Sequence, residues 1–262
     1  MESGLFNNVI KVDNYVIKIS KRNSEISNQV MDEMSSGTPE KYAMYINNVG
    51  IKTARIQSSF ICDDYDILVQ EYIEGETIQQ LLDNENIDSD EKIRVFEKFI
   101  DLYKLSEKDS NLCLDWNMKN FILNNDEIYY VDLTPCLYKN KIMQSKSDNL
   151  SQYRESYLNR DIQLAGILGY AIMSLVKHKS KEEVKIVYNK FLNILKEKLD
   201  FDFDNCSKWY NNHVYFYKLS QIQEHFNHTI TYEDMINNIN NYSMEKISNY
   251  PETKKSFIRD RK

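Results

Sequence analysis

Glycine and proline are scarce, with six and three residues respectively in a chain of 262. So few turn formers leave room for few tight loops and for no low-complexity linker. The four cysteines, Cys62, Cys113, Cys136 and Cys206, stand far apart and include no CxxC pair. That spacing argues against a disulfide framework or a zinc site and for the reduced thiols of a cytoplasmic protein. Long hydrophobic runs are missing too. The longest nearly uncharged one, Leu164–Val176, has 13 residues, too few to span a bilayer and better suited to a buried helix. Met1–Ile10 shows no basic stretch leading into an apolar one, so no signal peptide is expected. Nor is there an excess of positive charge. A net charge of −7 argues against a nucleic-acid-binding surface and is compatible with cationic small substrates.

What is present is the composition of a globular chain, 42% hydrophobic and 12% aromatic, long enough for one sizeable domain or two lobes. Its most informative stretch is Leu112–Leu133, LCLDWNMKNFILNNDEIYYVDL. Asp115 and Asn120 flank the polar segment WNMK. An apolar run, Phe121–Leu123, meets a turn signal at Asn124-Asn125-Asp126, and a second β-rich run, Ile128–Val131, delivers Asp132 at its end. Such a hairpin places Asp115, Asn120 and Asp132 on one rim, where they would hold a divalent metal beside a phosphorylatable hydroxyl. Each is equally a residue type that caps helices and turns.

The spacing, five residues from Asp115 to Asn120 and twelve from Asn120 to Asp132, resembles the catalytic core of the protein-kinase-like fold. The small-molecule branch, the aminoglycoside-phosphotransferase-like kinases, is the closer resemblance. The sequence departs from the family pattern at Cys113, where a histidine is usual, and after Asp132, where Leu-Thr-Pro replaces a glycine-containing segment. The resemblance implies an α+β, bilobal fold: a small antiparallel β-sheet N-lobe with one helix over residues 1–73, and a mainly helical C-lobe over residues 74–262. It also implies ATP and Mg²⁺ as cofactors, with Asp115 as the catalytic base and Asn120 and Asp132 as metal ligands.

Upstream, Asn8–Val12 and Tyr15–Ile19 read as a hairpin about Asp13-Asn14. Lys18 lies in its second run. The resemblance makes Lys18 the strand lysine that contacts the α- and β-phosphates; an outward-facing lysine on a half-buried strand is the plainer reading. No glycine-rich loop precedes it, only Gly4. Thr38-Pro39-Glu40 reads as a helix start, with the helix running to about Asn48 and offering Tyr42, Tyr45 and Ile46 inward. By resemblance Glu40 pairs with Lys18, with Glu33 and Glu25 as rivals; otherwise it is an acidic residue favouring a helix N-terminus. Ile67–Ile73 reads as a strand running into a hinge, where backbone groups of Glu71, Tyr72 and Ile73 would meet the adenine edge.

Helices are expected at Thr77–Asp83, Ser89–Leu105 and Ile162–Val176, along Val184–Leu195, and through Trp209, Tyr215, Phe216 and Leu219. Asp161 opens the third, as an N-cap or, by resemblance, as a support for the catalytic loop. The stretch between Asp132 and Asp161 is a candidate acceptor site or lid. His225 and His228, three apart, could share a metal but have no further ligand at matching spacing. The implied activity is ATP-dependent phosphorylation of a hydroxyl on an aminosugar-like or other natural-product small molecule by a monomer or homodimer, with no nucleic-acid or membrane partner. One alternative is a pseudokinase-like nucleotide-binding regulator. A protein kinase fits less well, because no A-P-E-like segment follows Asp132 and Asn117 stands where protein kinases carry lysine.

Overall fold

The computed structural model describes residues 8–21, 30–146, 151–176, 180–210 and 213–242. Gly4, Glu25 and the charged segment 254–262 lie outside the described residues. The chain divides into two compact units, residues 1–159 and 160–262. In chain order the first carries β1 (Asn8–Val12), β2 (Tyr15–Lys21), α1 (Pro39–Asn48), β3 (Lys52–Thr53), β4 (Ile56–Cys62), β5 (Tyr65–Glu71) and β6 (Glu76–Thr77). It continues with α2 (Ile78–Asp83), α3 (Ser89–Ser106), β7 (Phe121–Asn124), β8 (Glu127–Tyr130), α4 (Lys139–Gln144) and α5 (Ser151–Leu158). The expected α+β class holds, with a four-stranded antiparallel sheet and a mainly helical remainder.

That sheet has the order β1-β2-β5-β4. The β1–β2 hairpin turns at Asp13, which takes φ +50°, a conformation that aspartate tolerates better than most residues. In register, Val16 faces Gln70 and Lys18 faces Leu68. Opposed residues share a face, so Val16, Lys18, Leu68 and Gln70 line one side of the sheet. Lys18, Leu68 and Gln70 are buried there. Strand β5 begins earlier and stops earlier than expected, at Glu71, where Tyr72 N–H donates to Asn14 O at 2.8 Å.

The second sheet, β3-β8-β7-β6, is built on the expected hairpin. Asn125 and Asp126 have φ of +46° and +72°, the two left-handed positions of a turn whose twist matches the strands it joins. Strand β6 packs closely on β7. Gly75 has φ +136°, and a Cβ there would fall 2.2 Å from Leu123 O. Strand β3, parallel to β8, sets Thr53 opposite Tyr130.

Helix α1 starts as expected. Thr38 Oγ1 accepts from Lys41 N–H, Pro39 stands at the first helical position, and Tyr42, Ala43 and Ile46 are buried. Just before it, Ser36 N–H donates to Cys136 O, and Cys136 N–H to Ser35 Oγ, both at 3.1 Å. Helix α3 is capped by Asp88, which accepts from Glu91 N–H at 2.8 Å. Its buried residues include Val95, Phe96, Phe99, Ile100 and Tyr103. Phe99 and Tyr103 meet Trp116, which stacks on Phe121 with ring centroids 5.1 Å apart; Phe121 in turn packs on Tyr130. Each such pair adds about 0.5–1.5 kcal/mol beyond the area it buries.

The stretch between Asp132 and Asp161 forms α4 and α5. Ile142 joins Val30, Met34, Cys113 and Leu137 in a buried cluster against which Tyr157 and Leu158 pack.

The second unit is helical: α6 (Arg160–Val176), α7 (Lys181–Leu199), α8 (Phe203–Tyr210), α9 (Val214–Phe226) and a last helix over 232–242. The expected helix through Trp209 and Leu219 is in fact two. His213 caps the second, its Nδ1 accepting from Tyr215 N–H at 3.3 Å. Burial lowers the His213 pKa to about 4, which keeps that nitrogen free to accept. Asp161 sits in the first turn of α6. The Cys206 thiol is raised to about 11 by burial and, secondarily, by Asp161. Among the described residues no helix is long and apolar enough to cross a membrane, and all four cysteines are free.

Candidate active site

Hydrophobic packing fixes the loop that carries Asp115. Trp116 and Met118 are buried on either side of the half-buried Asn117, anchoring the segment on the aromatic cluster. Asp115 N–H donates to Tyr130 Oη at 3.4 Å, and Tyr42 Oη donates to Cys113 O. The Asp115 carboxylate accepts from Asn117 N–H at 3.1 Å. Asn120 Nδ2 donates to Asp115 O at 3.3 Å, and Asn120 O accepts from Val131 N–H at 2.9 Å. The loop is thereby tied to both strands of its hairpin.

Lys18 reaches this rim from the first sheet. Its Nζ donates to Val131 O at 2.7 Å and to Asp132 Oδ1 at 3.2 Å. Asp115, Asn120, Asp132 and Lys18 therefore converge. Burial, then the charge of Asp132, push the Asp115 carboxyl up to about 6, although hydrogen bonds from Asn117 and Asn120 work the other way. A carboxylate whose ionisation is opposed by a neighbouring one makes a setting that attracts a cation. Asp132 Oδ2 and Asn120 Oδ1 have no hydrogen-bond partner among the described residues. A carboxylate and an amide oxygen suit a hard divalent ion that keeps several water or phosphate ligands, as Mg²⁺ does. No group of three or more His, Cys, Asp or Glu side chains is placed to hold a metal among the described residues, His225 and His228 included. His225 is in a helix with Nδ1 on Ile230 O, whereas His228 lies beyond the helix end with φ +60°.

Glu40 is not brought to Lys18. Its carboxylate accepts from Ser59 Oγ at 2.7 Å. Burial opposes its ionisation, but the bonds from Ser59, its own backbone and Thr38 prevail and hold its pKa below the ordinary value. Glu33, the rival, accepts from Ser145 Oγ. The pairing expected from the resemblance is replaced by Lys18–Asp132, because Ser59 on β4 intercepts Glu40.

Cys113 is a buried thiol. Its Sγ lies 3.8 Å from Tyr157 O, and burial pushes its pKa up to about 12. At the strand end, Glu71 and Tyr72 N–H donate to Arg55 O and Asn14 O, whereas Ile73 N–H has no partner among the described residues. Sequence reasoning missed Gln70, whose Nε2 donates to Val131 O at 3.1 Å beside Lys18. The only signal for it was its place immediately before Glu71, the first residue assigned to the adenine edge. A cavity of about 510 Å³ opens elsewhere, between Met31, Thr38, Ser59, Ile67, Thr134 and Cys136.

No family model matches the chain, and no curated protein matches it. One solved structure to which it is similar is a co-crystal of WbdD with the kinase inhibitor LY294002. Identity is 13%, with 76% of this chain and 45% of that one covered, at a TM-score of 0.37. The chain thus spans less than half the length of that protein.

Proposed function

We propose that this chain is an ATP-dependent phosphotransferase acting on the hydroxyl of a small molecule, through a protein-kinase-like site. The observation that carries the reading is the convergence of Lys18, Asp115, Asn120 and Asp132 from two separate sheets. Transfer of a phosphoryl group asks chiefly for in-line positioning and for compensation of phosphate charge. Asp115 takes the proton of the acceptor hydroxyl as its oxygen bonds to the γ-phosphorus and the bridging bond to the β-phosphate breaks. A carboxyl with a pKa near 6 is ionised at neutral pH yet basic enough for that task. Asn120 and Asp132 would hold Mg²⁺, which neutralises phosphate charge when bound. Lys18 turns from Val131 O toward the phosphates. Residues 1–73 supply the nucleotide's cradle, and an aminosugar-like acceptor suits the net negative charge.

Mg²⁺-dependent ATP binding and slow ATP hydrolysis test this reading, comparing wild type with Lys18→Ala and Asp132→Asn. Binding should be lost in both variants, and Asp115→Asn should bind without turnover, at a cost on the order of 10²–10³ in rate. Binding unaffected by either change would overturn the site. The absence of a Lys18–Glu40 bond favours a second reading, a nucleotide-binding regulator without catalysis. Binding with no turnover across a broad panel of hydroxyl acceptors distinguishes it.

A further inference from the structure

Gln70 carries a polar atom that the fold leaves unserved. The residue is 2% exposed, and its Oε1 is fully buried without a hydrogen-bond partner among the described residues. The amide is not free to exchange its ends, because Nε2 donates to Val131 O at 3.1 Å and the swapped orientation would set two acceptors against each other. A buried acceptor left unpaired is costly, so a donor from a ligand or an ordered water is called for.

Its neighbours say what kind of donor. Gln70 shares the Lys18 face of the sheet and immediately precedes Glu71. Because Tyr72 N–H donates to Asn14 O, the adjacent Tyr15–Glu71 pair is a non-hydrogen-bonded one, and no donor to Glu71 O is found among the described residues. Ile73 N–H is likewise unpartnered among them. Two acceptors and one donor, on Gln70, Glu71 and Ile73, match in kind a purine that presents an exocyclic amino group, with two N–H, next to a ring nitrogen that accepts. A 6-oxo purine presents the reverse, an oxygen beside an N–H.

We infer that Gln70 selects the base, its Oε1 accepting from the 6-amino group of a bound adenine nucleotide. The inference rests on the proposed nucleotide site and deepens it. Affinities of the full chain for the Mg²⁺ complexes of ATP, inosine triphosphate and purine riboside triphosphate, which has hydrogen at position 6, provide the test. They are to be measured for wild type, Gln70→Leu and Gln70→Met, with thermal unfolding to show that each variant is folded. Wild type should prefer ATP over both analogues by about tenfold or more, and the ATP-to-purine-riboside ratio should fall about fivefold in either variant. An unchanged ratio with ATP binding intact overturns the role of Gln70, assigns Oε1 to water, and leaves the nucleotide site standing. Folded wild type that binds none of the three overturns the site itself and the inference with it.

Discussion

Lys18 Nζ lies 3.2 Å from Asp132 Oδ1, joining residues 114 positions apart. Both side chains are largely shielded from water, so the ammonium is the near countercharge for a carboxylate that already faces Asp115. Lys18→Met should therefore cost roughly 1.5–3 kcal/mol in urea unfolding, because it removes charge-assisted bonds to Asp132 and Val131 together. Asp132→Asn keeps an acceptor for Lys18 and relieves the repulsion with Asp115, so it should cost less. Equal losses would mean that the pair contributes nothing specific.

Glu40 is bonded to Ser59 and not to Lys18. Glu40→Gln should accordingly change the affinity for Mg·ATP by no more than about twofold, the range of an ordinary surface substitution. Isothermal titration reads this directly. A tenfold loss would require α1 to bring Glu40 to Lys18 when nucleotide binds.

Asp115 titrates at about 6 in the fold, against an ordinary value of 3.8. Between those values the native protein holds the proton more tightly than the unfolded chain does. The group's contribution to stability is therefore full below about 4 and is lost as the pH rises through about 6. Asp115→Asn should be more stable than wild type at pH 7–8, and the two should coincide near pH 4. Turnover, which needs the ionised carboxylate, should fall as pH drops below about 6. Thermal unfolding and a pH–rate profile check the two limbs separately.

Gly75→Ala meets both a positive φ and the carbonyl of Leu123. Ile122 Cγ2, 3.1 Å away, could yield, but the nearest obstacle is backbone, so the backbone must move, at a cost of at least about 2 kcal/mol. Denaturant unfolding measures the loss. Gly50→Ala, with open space around its Cβ, is the control, strained only by its φ of +94°.

The two hairpins and α1 were readable because local chemistry dictates them. Asp13 and the Asn125-Asp126 pair supply the left-handed turn positions, and Thr38-Pro39 can do little other than start a helix. Asp115, Asn120 and Asp132 were legible for the same reason, since hairpin geometry alone carries them to one rim. Strand β4 was not read, because Gln57, Ser58 and Ser59 break its apolar pattern and only pairing with β5 makes it a strand. The partner of Lys18 was unreadable in principle: whether Glu40 or Asp132 takes it depends on Ser59, a residue of that same unread strand. The break between α8 and α9 escaped because a buried, neutral His213 served as a cap, a role that imidazole seldom advertises.

Helix α1 is fastened at both ends to the short piece of chain that bears Asp132. Beyond its C-terminal end Thr53 pairs with Tyr130, and ahead of its N-terminal end Ser36 N–H donates to Cys136 O while Cys136 N–H donates to Ser35 Oγ. The two segments make a closed circuit, and a circuit cannot loosen at one link while its far side keeps its address. Whatever dislodges this helix also moves the carboxylate, so helix opening and loss of the Lys18–Asp132 pair are one event, visible as a set of backbone amides that surrender their protection together.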